Sequence, residues 1–235
     1  MKKWYQKSIA VVMAAACLFV GGTIGVARDS LPQLQLTAEA EDKLYTGESD
    51  GLQLNYEELE DGTIEITKFV DSTSTDIELP AVIDGKSVTS IGSSAFFDCI
   101  NLTSITIPDG VTSIGNLTFS GCISLTNIRI PDSVMYIGDQ VFYDCFSLTN
   151  ITIPNNITSI GNSMFFNCYS LTNLIIPDNV FDIEWSAFYG CTSLTTITIP
   201  EHVISINDSA FSACSCLTEI IVDSNNHSYS SEDGV

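Results

Sequence analysis

Residues 148–170 read LTNITIPNNITSIGNSMFFNCYS, and residues 125–147 read LTNIRIPDSVMYIGDQVFYDCFS. The letters that these two segments share belong to columns that recur every 23 residues along the chain. The cysteine column consists of Cys99, Cys122, Cys145, Cys168, Cys191 and Cys214. Phenylalanine, proline and leucine columns keep the same spacing. This regularity predicts a solenoid, in which each repeat forms one coil and buries its apolar side against the neighbouring coils.

Each repeat carries the signal of one short strand followed by a turn. In LTSITIP (residues 102–108), apolar and polar residues alternate as in a strand with one buried face, and the proline ends the ladder. The following VTSIG contains Gly115, which we expect in a left-handed conformation. NLTFSGC (residues 116–122) then has the length of one helical turn. Coils with one strand each predict a parallel sheet, with strands about 4.8 Å apart.

The two ends of the repeat array have different sequences. Residues 51–75 contain two alternating segments joined at Asp61-Gly62, which predicts an N-terminal β-hairpin cap over the first open edge. We assign residues 76–222 to the solenoid and residues 41–50 to a linker. Residues 223–235 depart from the repeat, and we expect them to be the C-terminal tail of a truncated chain.

Residues 1–40 have the order of a secretory signal peptide. Three lysines within the first seven residues precede an apolar run over residues 9–20. Ala38-Glu39-Ala40 is a small-x-small cleavage site, and cleavage after Ala27 is the alternative. An uncleaved membrane anchor is the competing interpretation, although the apolar run is short for a bilayer span.

The charge of the chain excludes two classes of partner. The formal net charge is −21, and removal of residues 1–40 would leave 4 basic and 27 acidic residues, a net charge of −23. Nucleic acids and anionic membranes bind cationic surfaces, because cations release the counterions of the phosphates. We therefore expect neither nucleic-acid binding nor membrane insertion after signal cleavage.

The repeat resembles the BspA-type (short, 23-residue) leucine-rich repeats of bacterial surface proteins. The pattern LTxIxIPxxVxxIGxxAFxxCxS carries this resemblance over residues 86–222. It implies an α/β repeat fold, a right-handed leucine-rich-repeat solenoid with a parallel β-sheet, short helical turns and the N-terminal β-hairpin cap. Glu184 and Asn207 stand where the pattern has glycine. Thr118, Val141 and Met164 stand where it has alanine.

The resemblance also implies a function. We expect a secreted or cell-surface module for protein binding or adhesion, monomeric and not an enzyme, with extracellular or host matrix proteins, or glycans, as partners. The alternative is a structural spacer or display arm of a larger extracellular protein whose functional domain lies beyond Val235. His202 and His227 occupy a turn and the tail, and no motif places a nucleophile beside either one.

No catalytic, cofactor or metal site is predicted, although two columns leave an alternative open. The cysteines suit packing as small hydrophobic side chains, and disulfides between stacked coils are the alternative. A mainly acidic column follows the prolines. Asp and Asn are favoured there because the chain turns, and a bound calcium ion is the alternative interpretation of this column. That column contains Asp109, Asp132, Asn155, Asp178 and Glu201.

Two variable surfaces are candidate partner-binding sites. The outward positions of the strands, on the predicted concave sheet, are polar and suit glycans: Asn127, Arg129, Asn150 and Asn173. Aromatic residues of the turn segments fall one coil apart: Tyr143, Phe146, Phe166, Tyr169 and Tyr189, with Trp185 close by. A contiguous run of exposed rings indicates an interface. Rings that lie flat against the next coil would instead thicken the core.

Overall fold

The computed structural model describes residues 42–47, 52–70 and 73–231. The predicted signal peptide, residues 1–40, lies outside the described residues. In the part that is described, no helix has the length and apolarity needed to cross a bilayer.

Seventeen short strands form the regular secondary structure of the described residues. They are β1 (Lys43–Thr46), β2 (Gln53–Glu58), β3 (Ile64–Phe69), β4 (Asp76–Glu78), β5 (Val82–Ile83), β6 (Lys86–Ile91), β7 (Ser104–Thr106), β8 (Ser113–Ile114), β9 (Asn127–Arg129), β10 (Tyr136–Ile137), β11 (Asn150–Thr152), β12 (Ser159–Ile160), β13 (Asn173–Ile175), β14 (Asp182–Ile183), β15 (Thr196–Ile199), β16 (Ser205–Ile206) and β17 (Glu219–Val222).

The strands build a parallel β-solenoid with two strands in each coil. The first ladder runs β4-β7-β9-β11-β13 and continues in the pair β15-β17. Its register is one repeat, so that Ile105 lies beside Ile128, and Ile128 beside Ile151. The second ladder runs β6-β8-β10 and then β12-β14-β16. The prediction of one strand per coil is therefore wrong, because the two-residue strands of the second ladder are too short to show an alternation.

The predicted short helical turns are also wrong, since the described residues contain no helix. We call the stretch between the glycine column and the next strand of the first ladder the turn segment, as in residues 139–149. Two residues of each turn segment adopt left-handed backbone angles, such as Gln140 (φ 57°) and Asp144 (φ 58°). Left-handed residues interrupt a right-handed helix. The N–H groups of Gln140, Phe142 and Asp144 donate instead to carbonyl oxygens of residues 162–166 in the next coil, at 2.8–2.9 Å. The turn segments are therefore held together by bonds between coils.

The glycine column serves close stacking of the coils. The expectation of a left-handed conformation is wrong here, because neither Gly115 nor Gly138 has a positive φ. A Cβ atom on Gly138 would lie 2.7 Å from the backbone nitrogen of Asn116 and 2.9 Å from the carbonyl carbon of Gly115. Glycine at this column thus lets successive coils approach each other.

The core is a continuous stack of phenylalanine rings lined by thiols. From Phe96 to Phe211, successive rings lie 5.3–5.7 Å apart. Cys145 Sγ donates to the carbonyl of Phe119 at 3.2 Å, and burial raises the pKa of this thiol. All seven cysteines of the described residues are free, as the packing interpretation requires.

The N-terminal end carries the predicted β-hairpin. β2 and β3 pair antiparallel, and β3 pairs in parallel with β6 of the first coil. β1 lies within residues 41–50, the predicted linker, and adds a third antiparallel strand beside β2. Leu54 and Ile66 of the hairpin are fully buried, because they face the first coil.

Candidate interaction surface

The aromatic residues of the turn segments form two ladders of stacked rings. Tyr143, Phe166 and Tyr189 stack with centroids 4.6 Å apart and planes within 7° of parallel. Phe146 and Tyr169 stack at 5.0 Å with planes 17° apart. The structure therefore brings together the five aromatic residues that the sequence predicted to lie on this surface.

The turn segment fixes which side chain points out. Phe142 is buried, and Tyr143, the next residue, is half-buried at the surface. The N–H of Tyr143 donates to the carbonyl of Gln140 within its own coil, whereas the N–H of Phe142 donates to the next coil. This alternation repeats in each coil, so that the residue after the buried phenylalanine always lies on one face of the stack.

The rings of the ladders are less exposed than isolated surface side chains and more exposed than core residues. Parallel rings cover each other's faces, so mainly their edges meet water, and four of the five are half-buried in this way: Tyr143, Phe146, Phe166 and Tyr189. Tyr169 is more open, with 42% of its surface exposed. Trp185 is 55% exposed, but it belongs to the column of Asp139 and joins neither ladder.

Three further apolar side chains extend this surface toward the N-terminal coils. Phe97 occupies the column of Tyr143, and Ile100 and Ile123 occupy the column of Phe146; all three are exposed. We call the eight residues the turn face: Phe97, Ile100, Ile123, Tyr143, Phe146, Phe166, Tyr169 and Tyr189. The 23-residue spacing places all eight residues in these two columns.

Acidic and amide side chains border the turn face. Asp98, Asp144 and Asn167 occupy one of the left-handed columns, and Asn167 Nδ2 donates to Asp144 Oδ1 at 2.9 Å. Partial burial, and then the Asp144 carboxylate, raise the pKa of Tyr143, which is therefore a neutral phenol at neutral pH. The turn segments that carry these residues contain no lysine or arginine.

The strand face, formed by the outward side chains of the first ladder, is mainly polar, with Ile175 as an exposed apolar residue in β13. Asn127, Asn150 and Asn173 are exposed and in register, and each amide donates to the hydroxyl of the preceding threonine at 3.1–3.4 Å. Arg129 is paired with Asp109 at 3.2 Å, and both side chains are exposed, so the pair contributes little to stability. The four predicted residues thus lie together as a hydrophilic surface.

A cavity of about 320 Å³ lies at the C-terminal end of the stack and was not predicted from the sequence. Its apolar lining consists of Ile199, Ile206, Phe211, Ile220, Val222 and Tyr229. The hydroxyl of Tyr229 accepts a hydrogen bond from the backbone N–H of Ile206 at 2.9 Å. Tyr229 lies in the tail, 23 residues after Ile206, and therefore continues the column of Ile183 and Ile206 beyond the predicted end of the solenoid.

No metal centre is apparent in the described ranges. They contain no group of three or more His, Cys, Asp or Glu side chains arranged to hold an ion. The carbonyl of Asp178 contacts His202 Nδ1 at 3.0 Å, so this histidine is engaged with the neighbouring turn.

Comparison with known proteins assigns the family. The sequence profile described as BspA type leucine rich repeat region matches the chain in six copies, over residues 62–191 and 135–232. The chain belongs to the BspA-type leucine-rich-repeat family. The resemblance carried by the repeat pattern is thereby confirmed. No curated protein sequence matches this chain.

Crystal structures of other family members have the same fold. A leucine-rich-repeat protein of T. pallidum is 32% identical with a TM-score of 0.68, over 71% of this chain and 78% of that one. A leucine-rich cell surface protein of Faecalibacterium prausnitzii is 34% identical with a TM-score of 0.62, over 83% and 57%. A protein of Bacteroides ovatus is 30% identical with a TM-score of 0.58, over 72% and 51%. The chain thus spans little more than half of the latter two.

Proposed function

We propose that the protein is a secreted or cell-surface adhesion module that binds extracellular proteins through the turn face and has no catalytic activity. The observation that carries this proposal is the pair of ring ladders, which are contiguous over neighbouring coils. Contiguous apolar surface on a soluble protein marks an interaction site more often than scattered apolar residues do. Aromatic side chains also dominate the energetics of protein interfaces.

The contrast with other outward columns supports this choice of face. The strand face offers three asparagines, and their amide groups are already engaged with threonine hydroxyls. A coil can form without an aromatic residue at the position of Tyr143, because the preceding coil has a small residue, Ser120, at the equivalent position. The ladders therefore add a surface that the fold does not need.

Extracellular placement is supported by the sequence of residues 1–40 and by a family member. The lysines and the apolar run have the order of a secretory signal peptide. The F. prausnitzii protein, 34% identical, is described as a cell surface protein. Secretion can be tested by N-terminal sequencing of protein recovered from the culture medium, and we expect the mature chain to begin at Glu41.

The binding proposal is tested by a matched pair of triple variants. We expect Tyr143→Ser, Phe166→Ser and Tyr189→Ser together to abolish binding to immobilised extracellular-matrix proteins. The control carries Asn127→Ser, Asn150→Ser and Asn173→Ser on the strand face, and it should bind as the unchanged protein does. Because half-buried rings also stabilise the coils, Tyr169→Ser is the milder variant, and thermal unfolding is measured on all of them.

Two results would contradict the proposal. If the unchanged protein binds no matrix protein, the chain is better described as a spacer or display arm. If only the asparagine variant loses binding, the partner binds the strand face, and glycans become the better candidates.

A further inference from the structure

We infer that the turn face binds a basic, extended peptide segment of the partner, rich in lysine or arginine and lying along the axis of the stack. The inference rests on the proposed function, since it names the chemistry that the same surface would recognise. It follows from the orientation of the rings, from the position of the acidic side chains and from the absence of basic residues on this face.

The rings present edges rather than faces to a partner. Tyr143, Phe166 and Tyr189 are nearly parallel and 4.6 Å apart, so the central ring has both faces covered. The edge of an aromatic ring is electropositive and its face electronegative. Peptide carbonyl oxygens can therefore lie against the ring edges along the ladder. A sugar, which stacks on a ring face, finds little room here.

The two end rings of the longer ladder have different outer neighbours. Tyr189 is followed in its column by Ser212, which is exposed and too small to cover an aromatic ring. At the opposite end, Tyr143 is preceded by Ser120, which is buried. A cation above an aromatic face is attracted to it, and arginine is the most frequent partner of this kind. The C-terminal end of the ladder is therefore where we place one basic side chain of the peptide.

The carboxylates of Asp98 and Asp144 are the binding positions for further basic side chains of the peptide. Asp98 and Asp144 are two coils apart in one column, which corresponds to about 10 Å at the strand spacing of a sheet, or about three residues of extended chain. Phe97 and Ile100, both exposed beside Asp98, offer an apolar surface for the aliphatic part of a lysine or arginine. The face is thus suited to basic side chains at regular intervals.

The charges elsewhere on the chain favour the same partner. The basic residues of the described part are Lys43, Lys68, Lys86 and Arg129, and none lies on the turn segments. Lys86 is paired with Glu58, and Arg129 with Asp109. The formal net charge of −21 attracts cationic segments over a distance and repels acidic ones.

The test uses a synthetic peptide with five Arg-Ser-Gly repeats and, for comparison, the same peptide with glutamate in place of arginine. We expect fluorescence anisotropy to show binding of the arginine peptide only. Asp98→Asn with Asp144→Asn should weaken this binding about fivefold, as expected for the loss of two exposed ion pairs. Asparagine also tolerates the left-handed angles of both positions, so the fold should be kept.

The matched control removes the same charge from another place. Asp132→Asn with Asp178→Asn, both exposed in the turns after the prolines, should leave the affinity for the peptide almost unchanged. Tyr189→Leu should weaken binding more than Tyr143→Leu, since Ser212 beside Tyr189 is exposed, whereas Ser120 beside Tyr143 is buried. Equal weakening by the two aspartate pairs would reduce the interaction to non-specific attraction and overturn the inference.

Failure of this inference is distinguishable from failure of the proposed function. If the ring variants abolish matrix binding while Asp98→Asn with Asp144→Asn leaves it intact, the turn face binds a partner that is not basic. If the ring variants leave matrix binding intact, the proposed function itself is wrong.

Discussion

The two ends of the stack are closed to different degrees. At the N-terminal end, the hairpin covers the first coil, Leu54 and Ile66 are fully buried, and Phe69 extends the phenylalanine stack by one ring, 5.4 Å from Phe96. At the C-terminal end, Phe211 stacks on Phe188 at 5.3 Å but is only half-buried. The residues around it line the cavity of about 320 Å³.

The tail closes the C-terminal end only in part. Asn226 Nδ2 donates to the carbonyls of Pro200 and Val203, at 2.7 and 3.0 Å, and Tyr229 lies against the last coil. Ile206, however, is half-buried, whereas the equivalent Ile160 is fully buried. Each coil of a solenoid gains its burial from two neighbours, so a partly covered last coil is less stable than a central one.

The largest effect is expected from truncating the phenylalanine stack at its centre and at its C-terminal end. Phe142→Ala should lower the free energy of unfolding by about 3–5 kcal/mol, because a fully buried ring leaves a cavity between two coils. Phe211→Ala should cost about half as much, since part of that ring is already exposed. Denaturant unfolding of both variants measures the difference. Equal losses would mean that the last coil is as firmly held as the centre.

The next largest effect concerns the glycine column. Gly138→Ala should destabilise by about 1–3 kcal/mol, because the new Cβ would collide with backbone atoms of the preceding coil. Asn207→Ala is the matched change near the C-terminal end, where the chain already carries a Cβ at the same column. We expect it to have a much smaller effect on the melting temperature. A well-tolerated Gly138→Ala would show that the coils can separate at little cost.

The 23-residue columns predicted the stacking of the coils and the proximity of the rings, and the alternating segments around Asp61-Gly62 predicted the hairpin. Each of these features depends on a pattern that the sequence displays. The local backbone could not be predicted in the same way. Leu117 and Gln140 adopt left-handed angles that are normally associated with glycine, whereas Gly115 and Gly138 do not. A glycine in the sequence does not reveal whether it serves a positive φ or a close approach.

The candidate site was likewise predictable from the sequence only in part. Column positions predicted which rings are neighbours, but whether they present edges or faces depends on side-chain rotamers that no spacing encodes. The cavity is lined by Ile206 and Tyr229, which are 23 positions apart, so the repeat spacing extends into the tail that was predicted to lie outside the solenoid. This contact was missed because a tyrosine stands where the earlier coils have isoleucine, whereas columns that keep their residue type were found.

A smaller effect is expected from the cysteine column. Cys145→Ser should destabilise by about 1 kcal/mol, since a hydroxyl is more costly to bury than a thiol even when it keeps the bond to the carbonyl of Phe119. Cys214→Ser, nearer the open end, should cost less. Alkylation of the native protein should modify Cys216 first, because it is exposed, and the buried thiols only on unfolding. Rapid alkylation of Cys145 would show that the central coils open readily.

The smallest effect is expected from Glu184, which occupies the glycine column in a central coil. A left-handed conformation was expected in this column, as at Gly115, but Glu184 does not have a positive φ. Its carboxylate instead accepts hydrogen bonds from Ser159 Oγ at 3.1 Å and Asn162 Nδ2 at 2.7 Å. Glu184→Gly should therefore destabilise the protein slightly, since it removes these bonds and adds freedom to the unfolded chain.

The pH dependence of stability provides the finer test of Glu184. Partial burial raises the pKa of its carboxyl group above the ordinary 4.5, and the Asp139 and Asp182 carboxylates add to this while the Ser159 hydroxyl opposes it. The folded state therefore holds this proton more tightly than the unfolded state does. The resulting stabilisation is complete below the unfolded pKa and is lost as the pH rises through the folded pKa.

Glu184→Gln should abolish that loss, so its melting temperature should fall less than that of the unchanged protein between about pH 4 and pH 7. Glu201→Gln removes an equal charge from an exposed turn and serves as the control. If both variants flatten the pH profile equally, the effect comes from the overall negative charge and not from the position of Glu184 between the coils.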